Sequence, residues 1–452
     1  MKKINALLLY AVLFLSACTG PAATQPPTTV ATVPPVEVAT EQPTAVPTSA
    51  PTPAPVTLRF SSWGNPSQNE PTTAMVNAFM AKYPYITVEM EFDPFGAYWE
   101  KKTTQLASNS LPDVFGMSTS YICDYAGNGR LLDLSQTTAN PEVASWIEGL
   151  PQAAFENLRI GGKLWGFPYA AGTAVLYYNK NLFDAAGVAY PSDGWTYDDM
   201  LAAAAKMTLD TNGDGSLDQW GFDSDITGGD TFFAMIHSFG GRFLSDDGKK
   251  SLANSHNTVE ALQFIQDLIY KYKVTPRPED MEGVEDPFGS GMIAMRLSIT
   301  AHIGGLQEIT DFAWDIAAPP LGFQGELSAG ALRGNPNFVV SAISEHPQEA
   351  ALLAAWMSGT DAQTILGAAK GRFPVHPTGQ GLWLSAPPEH YSIIIDLMKN
   401  DVKNEPLCYN HSADIGELWV RVLEGDILTN AKRADEVAPD LAAQIQAFLD
   451  TP

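Results

Sequence analysis

The pattern that most constrains this chain is a strand, a helix and a second strand that follow a Pro-rich N-terminal segment. Val56 to Phe60 alternates apolar and polar residues with a period of two. Residues 72–83 place their apolar side chains on one helical face, and Pro84 ends that helix. Ile86 to Phe92 then alternates again. A β-α-β unit implies a parallel pair of strands joined by a right-handed crossover.

Later segments repeat this alternation of strands and helices. Thr196 is expected to cap a helix, because Asp199 follows three residues later and completes a capping pattern. A second amphipathic helix is predicted over 258–272, an apolar strand over 338–342, and a helix over 347–356 that opens with proline. The sequence therefore predicts the α/β class.

Composition excludes several classes of protein. The 452 residues are enough for two or three domains, and 45% are hydrophobic, which excludes wholesale disorder. The formal net charge of −25 repels phosphate backbones, so no nucleic-acid partner is expected. Three cysteines exclude a disulfide scaffold and a Cys-rich metal module. The only long apolar run lies at the N-terminus, which excludes a polytopic membrane protein.

The N-terminus has the pattern of a signal peptide. Lys2 and Lys3 precede an almost wholly apolar stretch, 4–15, that is too short to span a bilayer as a mature helix. The small residues before Cys18 resemble the lipobox of bacterial lipoproteins. This resemblance implies a signal peptide over 1–18, cleavage before Cys18 and acylation of that residue. The alternative is an ordinary secretory signal with an incidental cysteine.

Residues 19–55 have the composition of a stalk. Pro, Thr and Ala account for 26 of these 37 residues, and none is aromatic. Such a segment cannot bury enough apolar surface to offset the entropy of ordering, and its prolines favour extended polyproline II. We therefore expect a disordered, semi-rigid spacer between a lipid anchor and a folded part that lies on the outer face of the cell membrane.

Four stretches make the chain recognisable. They are WGNPSQNEPTTAMVNAFMAKYPYITVEMEF from 63, GKLWGFPYAAGTAVLYYNKNLFDAAGV from 162, WTYDDMLAAAAKMT from 195 and DTNGDGSLDQWGFD from 210. In this order they resemble family 1 extracellular solute-binding proteins, the receptors of bacterial ABC importers for sugars. The resemblance implies two α/β lobes, a type II periplasmic-binding-protein-like fold, with a ligand cleft between them.

The same resemblance implies lobe boundaries. Lobe 1 would comprise 56–170 plus 326–372, and lobe 2 would comprise 171–325 plus 373–452. The chain would cross between the lobes near 168–171, 321–331 and 371–373. Open α/β sheets bind ligands at the carboxyl ends of their strands, so the cleft is expected there.

A sugar site needs aromatic faces for the pyranose ring and polar groups for its hydroxyls. In lobe 1, Trp63 is expected to follow the first strand, and further candidates follow a strand predicted over 113–117. For each aromatic residue, ordinary packing is the competing interpretation. The full set of candidate ligand residues is Trp63, Ser118, Ser120, Tyr121, Asp124, Phe233, His302, Arg333, Asn335, Trp383 and Tyr409.

The segment 210–218 resembles an EF-hand loop. Asp210, Asn212, Asp214, Ser216 and Asp218 supply oxygen atoms at alternate positions, with glycine at the sixth. The twelfth position is Gly221 instead of the usual bidentate glutamate, so any calcium site would be weak. The alternative is a polar turn before a strand at 220–223. No cofactor is required, and calcium is the one ion that this pattern suggests.

Two cysteines, Cys123 and Cys408, remain in the part expected to fold. Thiols outside the cytoplasm can oxidise to a disulfide, but the sequence leaves their pairing open. By the boundaries above they belong to different lobes, and a bridge would then restrict opening of the hinge.

The sequence favours a binding protein over an enzyme. It contains no GxSxG, HExxH, P-loop or strand-linked GxGxxG motif. The resulting hypothesis is a monomeric, membrane-tethered receptor that captures a mono- or oligosaccharide and delivers it to an ABC permease. Two alternatives are a surface glycoside hydrolase, with an acidic pair such as Glu279 and Asp280 as its carboxylates, and a ligand-sensing input protein.

Overall fold

The computed structural model describes residues 53–224, 230–322, 335–399, 406, 408–409 and 411–451. Its strands, in chain order, are β1 (Val56–Trp63), β2 (Ile86–Asp93), β3 (Val114–Ser118), β4 (Arg159–Ile160), β5 (Lys163–Leu164), β6 (Phe167–Pro168), β7 (Ala174–Asn179), β8 (Asp223–Ser224), β9 (Met295–Ile299), β10 (Trp314–Ala317) and β11 (Pro336–Val340).

The helices, in the same order, are α1 (Pro66–Lys82), α2 (Phe95–Ala107), α3 (Ile122–Gly127), α4 (Pro141–Trp146), α5 (Ala153–Glu156), α6 (Lys180–Ala186), α7 (Tyr197–Met207), α8 (Asp230–Ser238), α9 (His256–Tyr270), α10 (Ile303–Leu306), α11 (Pro347–Trp356), α12 (Thr360–Ala368), α13 (Pro377–Trp383), α14 (Ile393–Leu397), α15 (Ser412–Val422) and α16 (Ala434–Asp450). Short 3₁₀ turns cover Thr137–Ala139, Pro278–Met281 and Thr300–His302, and a π-helical segment, Leu423–Ile427, follows α15.

The first sheet has the strand order β2-β1-β3-β11-β6. β1 runs parallel to β2, with Val56 opposite Ile86, and parallel to β3. β11 runs antiparallel to β3. The predicted β-α-β unit is therefore confirmed, although β1 is longer than expected and includes Trp63 as its last residue.

Helix α1 begins at Pro66, six residues before the predicted start at Thr72. Its start is set by a capping box: the Asn65 side chain accepts from the Gln68 backbone N–H at 3.1 Å, and the Gln68 side chain accepts from the Asn65 N–H at 3.3 Å. The extra turn lacks the apolar periodicity on which the prediction relied, so only the cap signals it.

The second sheet has the order β10-β7-β9-β8. β7 is antiparallel to both β9 and β10, and the short edge strand β8 is parallel to β9. Helix α7 starts as predicted, because Thr196 and Asp199 cap each other's backbone N–H groups. The predicted helix over 258–272 is α9, which begins two residues earlier, at His256.

Each sheet has its own apolar core, so we call the two parts lobe 1 and lobe 2. The lobe 1 cluster comprises buried residues between Val56 and Ala170 and between Phe338 and Val375. The four-stranded sheet of lobe 2 packs on α7, α8, α9, α15 and α16 on one side. A third cluster around Tyr177 and Trp383 covers its other side.

The chain passes between the lobes at two described places that pair with each other. Ala170 forms a β-bridge with Pro374, and the Ala171 N–H donates to the Phe373 carbonyl oxygen at 2.9 Å. Most of the crossing expected at 321–331 lies outside the described residues. Of the helices in the described ranges, none combines the length and the apolarity needed to cross a membrane.

Candidate functional site

The strand registers define, in each sheet, an edge at which the ends of neighbouring strands meet. In lobe 1, the carboxyl ends of β1 and β3 share an edge with the amino end of β11, where Pro336 pairs with Ser118. In lobe 2, the carboxyl end of β9 meets the amino end of β7, where Ile299 pairs with Ala174. Only five residues, 169–173, separate β6 from β7, so these edges lie within roughly 20 Å of each other. We call the space between them the cleft.

Trp63 lies at the lobe 1 edge but is largely enclosed. It is 7% exposed, and its ring packs against Tyr98 and Trp99 with centroid separations of 5.3 and 5.8 Å. A Cβ on Gly116 would come within 2.8 Å of the indole, so the ring lies directly over the neighbouring strand. Trp63 is therefore part of the strand and of the lobe 1 core, and it is not the loop residue that the sequence suggested.

The accessible aromatic surface of this edge comes from Phe95 on α2 and the half-buried Tyr121 after β3, while Trp99 is only 9% exposed and packs between them. Phe95 is 51% exposed and contacts the Trp63 ring edge-on at 5.6 Å. The Tyr121 ring lies over Trp99, with centroids 4.0 Å apart and planes tilted by 30°. Burial raises the pKa of the Tyr121 hydroxyl, with Glu417 and Asp124 adding to the effect, so it remains a neutral hydrogen-bonding group. We call Phe95, Trp99 and Tyr121 the aromatic shelf.

The polar candidates of lobe 1 have different surroundings. Ser118 is the last residue of β3 and is buried, while Ser120 is half-buried and its N–H donates to the Ser118 hydroxyl at 3.4 Å. Asp124 accepts from the Ser412 hydroxyl of lobe 2 at 2.9 Å. Asn335 precedes β11 at the same edge, and its side-chain oxygen is enclosed without a hydrogen-bond partner. Arg333 lies outside the described residues.

The lobe 2 candidates are spread over several elements. Phe233 on α8 is half-buried against Trp419, with ring centroids 5.5 Å apart, and Tyr409 packs on the same core. His302 is exposed after β9, and its Nδ1 lies 2.9 Å from the Ser298 hydroxyl. It lines a cavity of about 410 Å³ beside β8.

Trp383 is the last residue of α13 and packs against the crossing segment. It is 1% exposed, its ring packs edge-on against Phe373 at 4.9 Å, and its N–H donates to the Gly371 carbonyl oxygen. A side chain so enclosed by the crossing segment cannot stack on a ligand. We therefore correct its predicted role to packing at the crossing.

The EF-hand-like loop is held by its own hydrogen bonds. The Asp210 carboxylate accepts from the Gly213 and Gly215 N–H groups at 2.6 and 2.8 Å, and Asp218 accepts from Thr211. A Cβ on Gly221 would lie 2.1 Å from the Ala204 carbonyl oxygen, which explains why no glutamate occupies the twelfth position. Across the described ranges, no group of three His, Cys, Asp or Glu side chains is placed to hold a metal ion.

The sequence profile of a family described as "Bacterial extracellular solute-binding protein" matches residues 65–364, which include parts of both lobes. The chain belongs to this family. The match agrees with the resemblance seen in the sequence and places the protein among receptors that work outside the cytoplasm.

Two curated relatives of this solute-binding protein are named as binding proteins rather than as enzymes. A Brucella abortus binding protein is 25% identical over 253 residues, or 55% of this chain and 59% of that protein. An arabinooligosaccharide-binding protein of Bacillus subtilis is 25% identical over 306 residues, or 64% of this chain and 66% of that protein. The chain thus spans about three fifths to two thirds of the length of these relatives.

A solved structure supports the two-lobed fold. An ABC substrate-binding protein of Listeria monocytogenes in complex with cycloalternan aligns with a TM-score of 0.78 and 24% identity, covering 87% of this chain and 98% of that chain. At this identity the likeness establishes the fold of the solute-binding protein. The expected α/β class with two lobes is therefore confirmed.

Two residues of the aromatic shelf and one arginine at the same edge were not among the predicted ligand residues. Phe95 and Trp99 follow β2 at the carboxyl edge of the sheet, and that position could have drawn attention to them. Arg372 lies in the predicted crossing at 371–373 but was not among the predicted ligand residues. In the folded solute-binding protein its guanidinium donates to the Trp63 carbonyl oxygen at 2.9 Å, at the cleft end of β1.

Proposed function

We propose that this protein is an extracytoplasmic receptor that captures a carbohydrate and delivers it unchanged to an ABC permease. The observation that carries the proposal is the aromatic shelf at a sheet edge that also presents hydroxyl and amide groups. Phe95 is 51% exposed, and Ser120 and Tyr121 follow closely after the end of β3 at Ser118. This is the combination that a sugar ring requires.

The names of two similar proteins support the same ligand class. One relative is named for arabinooligosaccharides, and one structural neighbour holds cycloalternan. The ligand would contact both lobes and stabilise the closed form, so that binding shifts an open–closed population. The permease would recognise the closed form, and no bond of the ligand would be broken.

We propose further that the receptor acts as a monomer tethered through Cys18. Acylation of that residue would hold it on the outer face of the membrane, with 19–55 as the spacer. Mass spectrometry of the membrane fraction should find an acylated N-terminal Cys18, and Cys18→Ala should release the protein or leave an uncleaved precursor. An unmodified N-terminus elsewhere would contradict the anchor but not the receptor.

A thermal-shift panel of mono- and oligosaccharides, polyols, amino acids and peptides tests the ligand class. A ligand at 100 times its dissociation constant should stabilise the folded protein by about 2.7 kcal/mol. Chromatography of the recovered ligand should show it intact. Stabilisation by amino acids or peptides alone would contradict the carbohydrate proposal, and cleavage of an oligosaccharide would contradict the receptor.

A further inference from the structure

Arg372 lies on the crossing segment between Gly371 and Phe373, next to the carboxyl end of β1. It is 8% exposed. Its Nη2 donates to the Trp63 carbonyl oxygen, and its guanidinium carbon lies 5.6 Å from the centroid of the Trp63 ring. The ring offers a weak cation–π contact and the carbonyl accepts one hydrogen bond, whereas a guanidinium carries five N–H groups.

Within the part of the chain that the structure describes, this buried cation has no anionic partner. Among the described residues, none places a carboxylate in ion-pair contact with Arg372. Burial lowers the pKa of the guanidinium, and Tyr169 opposes that effect only in part. Arginine nevertheless remains charged in proteins. Since buried charges are normally paired, an unpaired guanidinium leaves an unmet electrostatic demand.

Two nitrogen atoms of the Arg372 guanidinium group have no partner among the described residues. Among the described residues, several buried polar side-chain atoms are both fully enclosed and without a partner, but Nε and Nη1 of Arg372 are not among them. Neither makes a hydrogen bond within the described part of the chain. Both atoms therefore keep some surface accessible to solvent, although Arg372 as a whole is only 8% exposed.

A second source of positive potential lies beside this arginine. Helix α1 begins three residues after Trp63, and its first turn contains no acidic residue although the chain carries a net charge of −25. The amino end of a helix favours anions. Asp93 lies opposite Trp63 on β2, but its carboxylate is paired with Lys101, whose Nζ lies 3.3 Å from Asp93 Oδ2.

We propose that the ligand of this cleft carries an anionic group, a carboxylate or a phosphate on a sugar-sized molecule, and that Arg372 binds that group. This inference rests on the proposed function and narrows its ligand class to acidic saccharides. The planar guanidinium fork matches both oxyanions and can donate two parallel hydrogen bonds. Binding supplies the counter-charge that the described residues do not provide at this position.

The test compares charged and neutral ligands of matched shape by titration calorimetry of the full chain. The pairs are D-galacturonate with D-galactose, D-glucuronate with D-glucose, and glucose 6-phosphate with glucose, with digalacturonate and inorganic phosphate added. The uronate pairs test whether the anionic group is a carboxylate, and glucose 6-phosphate and inorganic phosphate test whether it is a phosphate. We expect the charged member of at least one pair to bind about 10- to 100-fold more tightly than its neutral partner.

Variants then assign the effect to this side chain. Arg372→Met should lose the preference for the charged member of each pair. Arg372→Lys keeps a positive charge without the guanidinium fork, so its affinity for the charged member should fall about tenfold. This variant provides the test if Arg372→Met does not fold. Lys163→Met is the matched control, because it removes a cation from a lobe 1 side chain that is 55% exposed and should leave the preference intact.

Equal binding of both members, or binding of the neutral members alone, would overturn the anionic proposal and leave the sugar receptor standing. Retention of the charge preference in a folded Arg372→Met protein would also overturn it. If neutral oligosaccharides and acidic sugars alike fail to bind, the carbohydrate function falls together with this inference.

Discussion

Cys123 on α3 and Cys408 form a disulfide bond across a sequence separation of 285 residues. Cys123 packs against the lobe 1 core, and Tyr409, adjacent to Cys408, packs against the lobe 2 core. Beside this bond, the Ser412 hydroxyl donates to the Asp124 carboxylate. The lobes are thus joined covalently at a point distinct from the crossing segments, so the pairing that the sequence left open is present.

Removing this bond should loosen the receptor. Cys123→Ser should lower the free energy of unfolding by about 2–5 kcal/mol, because a long closed loop is released in the unfolded chain. It should also speed ligand dissociation, since the lobes can then separate further. Denaturant titration and stopped-flow dissociation measure the two effects, and the reduced wild-type protein is the control. An unchanged dissociation rate would contradict the proposed restraint on opening.

Trp63 and Phe95 should respond differently to truncation. Trp63→Ala should cost about 3–5 kcal/mol of stability, because the indole is almost fully buried in lobe 1. Phe95→Ala should cost little stability but weaken sugar binding roughly five- to thirtyfold, because its exposed ring would cover the ligand.

Melting temperature and affinity measured on both variants separate the two roles. Tyr272→Ala is the control, since this ring is 39% exposed at the end of α9 in lobe 2 and should leave affinity unchanged. If Phe95→Ala binds every ligand as tightly as the wild type does, the aromatic shelf is not part of the binding site.

The buried amine of Lys102 should make the free energy of unfolding vary with pH in the alkaline range. Its side chain is buried on α2, where its Nζ donates to Gln105 at 2.7 Å and lies 4.5 Å from the Tyr98 ring centroid. Burial lowers the pKa of this amine from 10.5 to about 8. The unfolded chain therefore binds more protons between pH 8 and 10.5, and the contribution of Lys102 to stability rises with pH in that window.

Lys102→Met should accordingly stabilise the protein by about 1–3 kcal/mol at pH 7, and the gain should shrink as pH rises from 8 to 10.5. Lys101→Met is the matched control. Hydrogen bonds to Glu91 and Asp93 raise the pKa of Lys101, so its contribution is present below pH 10.5 and is lost above. Chemical denaturation across this range measures both, and a gain that does not vary with pH would contradict the role of burial.

Calcium binding at 210–218 stays a prediction, and we expect it to be weak. The loop carboxylates already accept backbone N–H groups, and the twelfth position has no side chain. Calorimetry should give a dissociation constant no tighter than about 10⁻⁴ M. Asp214→Asn should weaken any binding further, while Asp223→Asn lies outside the loop positions and serves as the control. Micromolar affinity would show that a remote carboxylate completes the site.

The sequence by itself determined the class of fold and the outline of the function. Alternation at Ile86 to Phe92 fixed which face of β2 is buried, and the Thr196 cap fixed the start of α7, because both signals depend only on residues close in the chain. The ordered stretches along the chain likewise identified the family, since a profile match uses the same local patterns.

The tertiary structure alone decided which side chains are available to a ligand. Trp63 and Phe95 are both aromatic residues near strand ends, yet only Phe95 is exposed, because the Trp63 ring lies over Gly116 of a neighbouring strand. Tertiary packing also decided three further features: the contact of Trp383 with Phe373, the pairing of Cys123 with Cys408, and the charge of Arg372, which is unpaired among the described residues. Each depends on contacts between segments far apart in the chain, which no local pattern records.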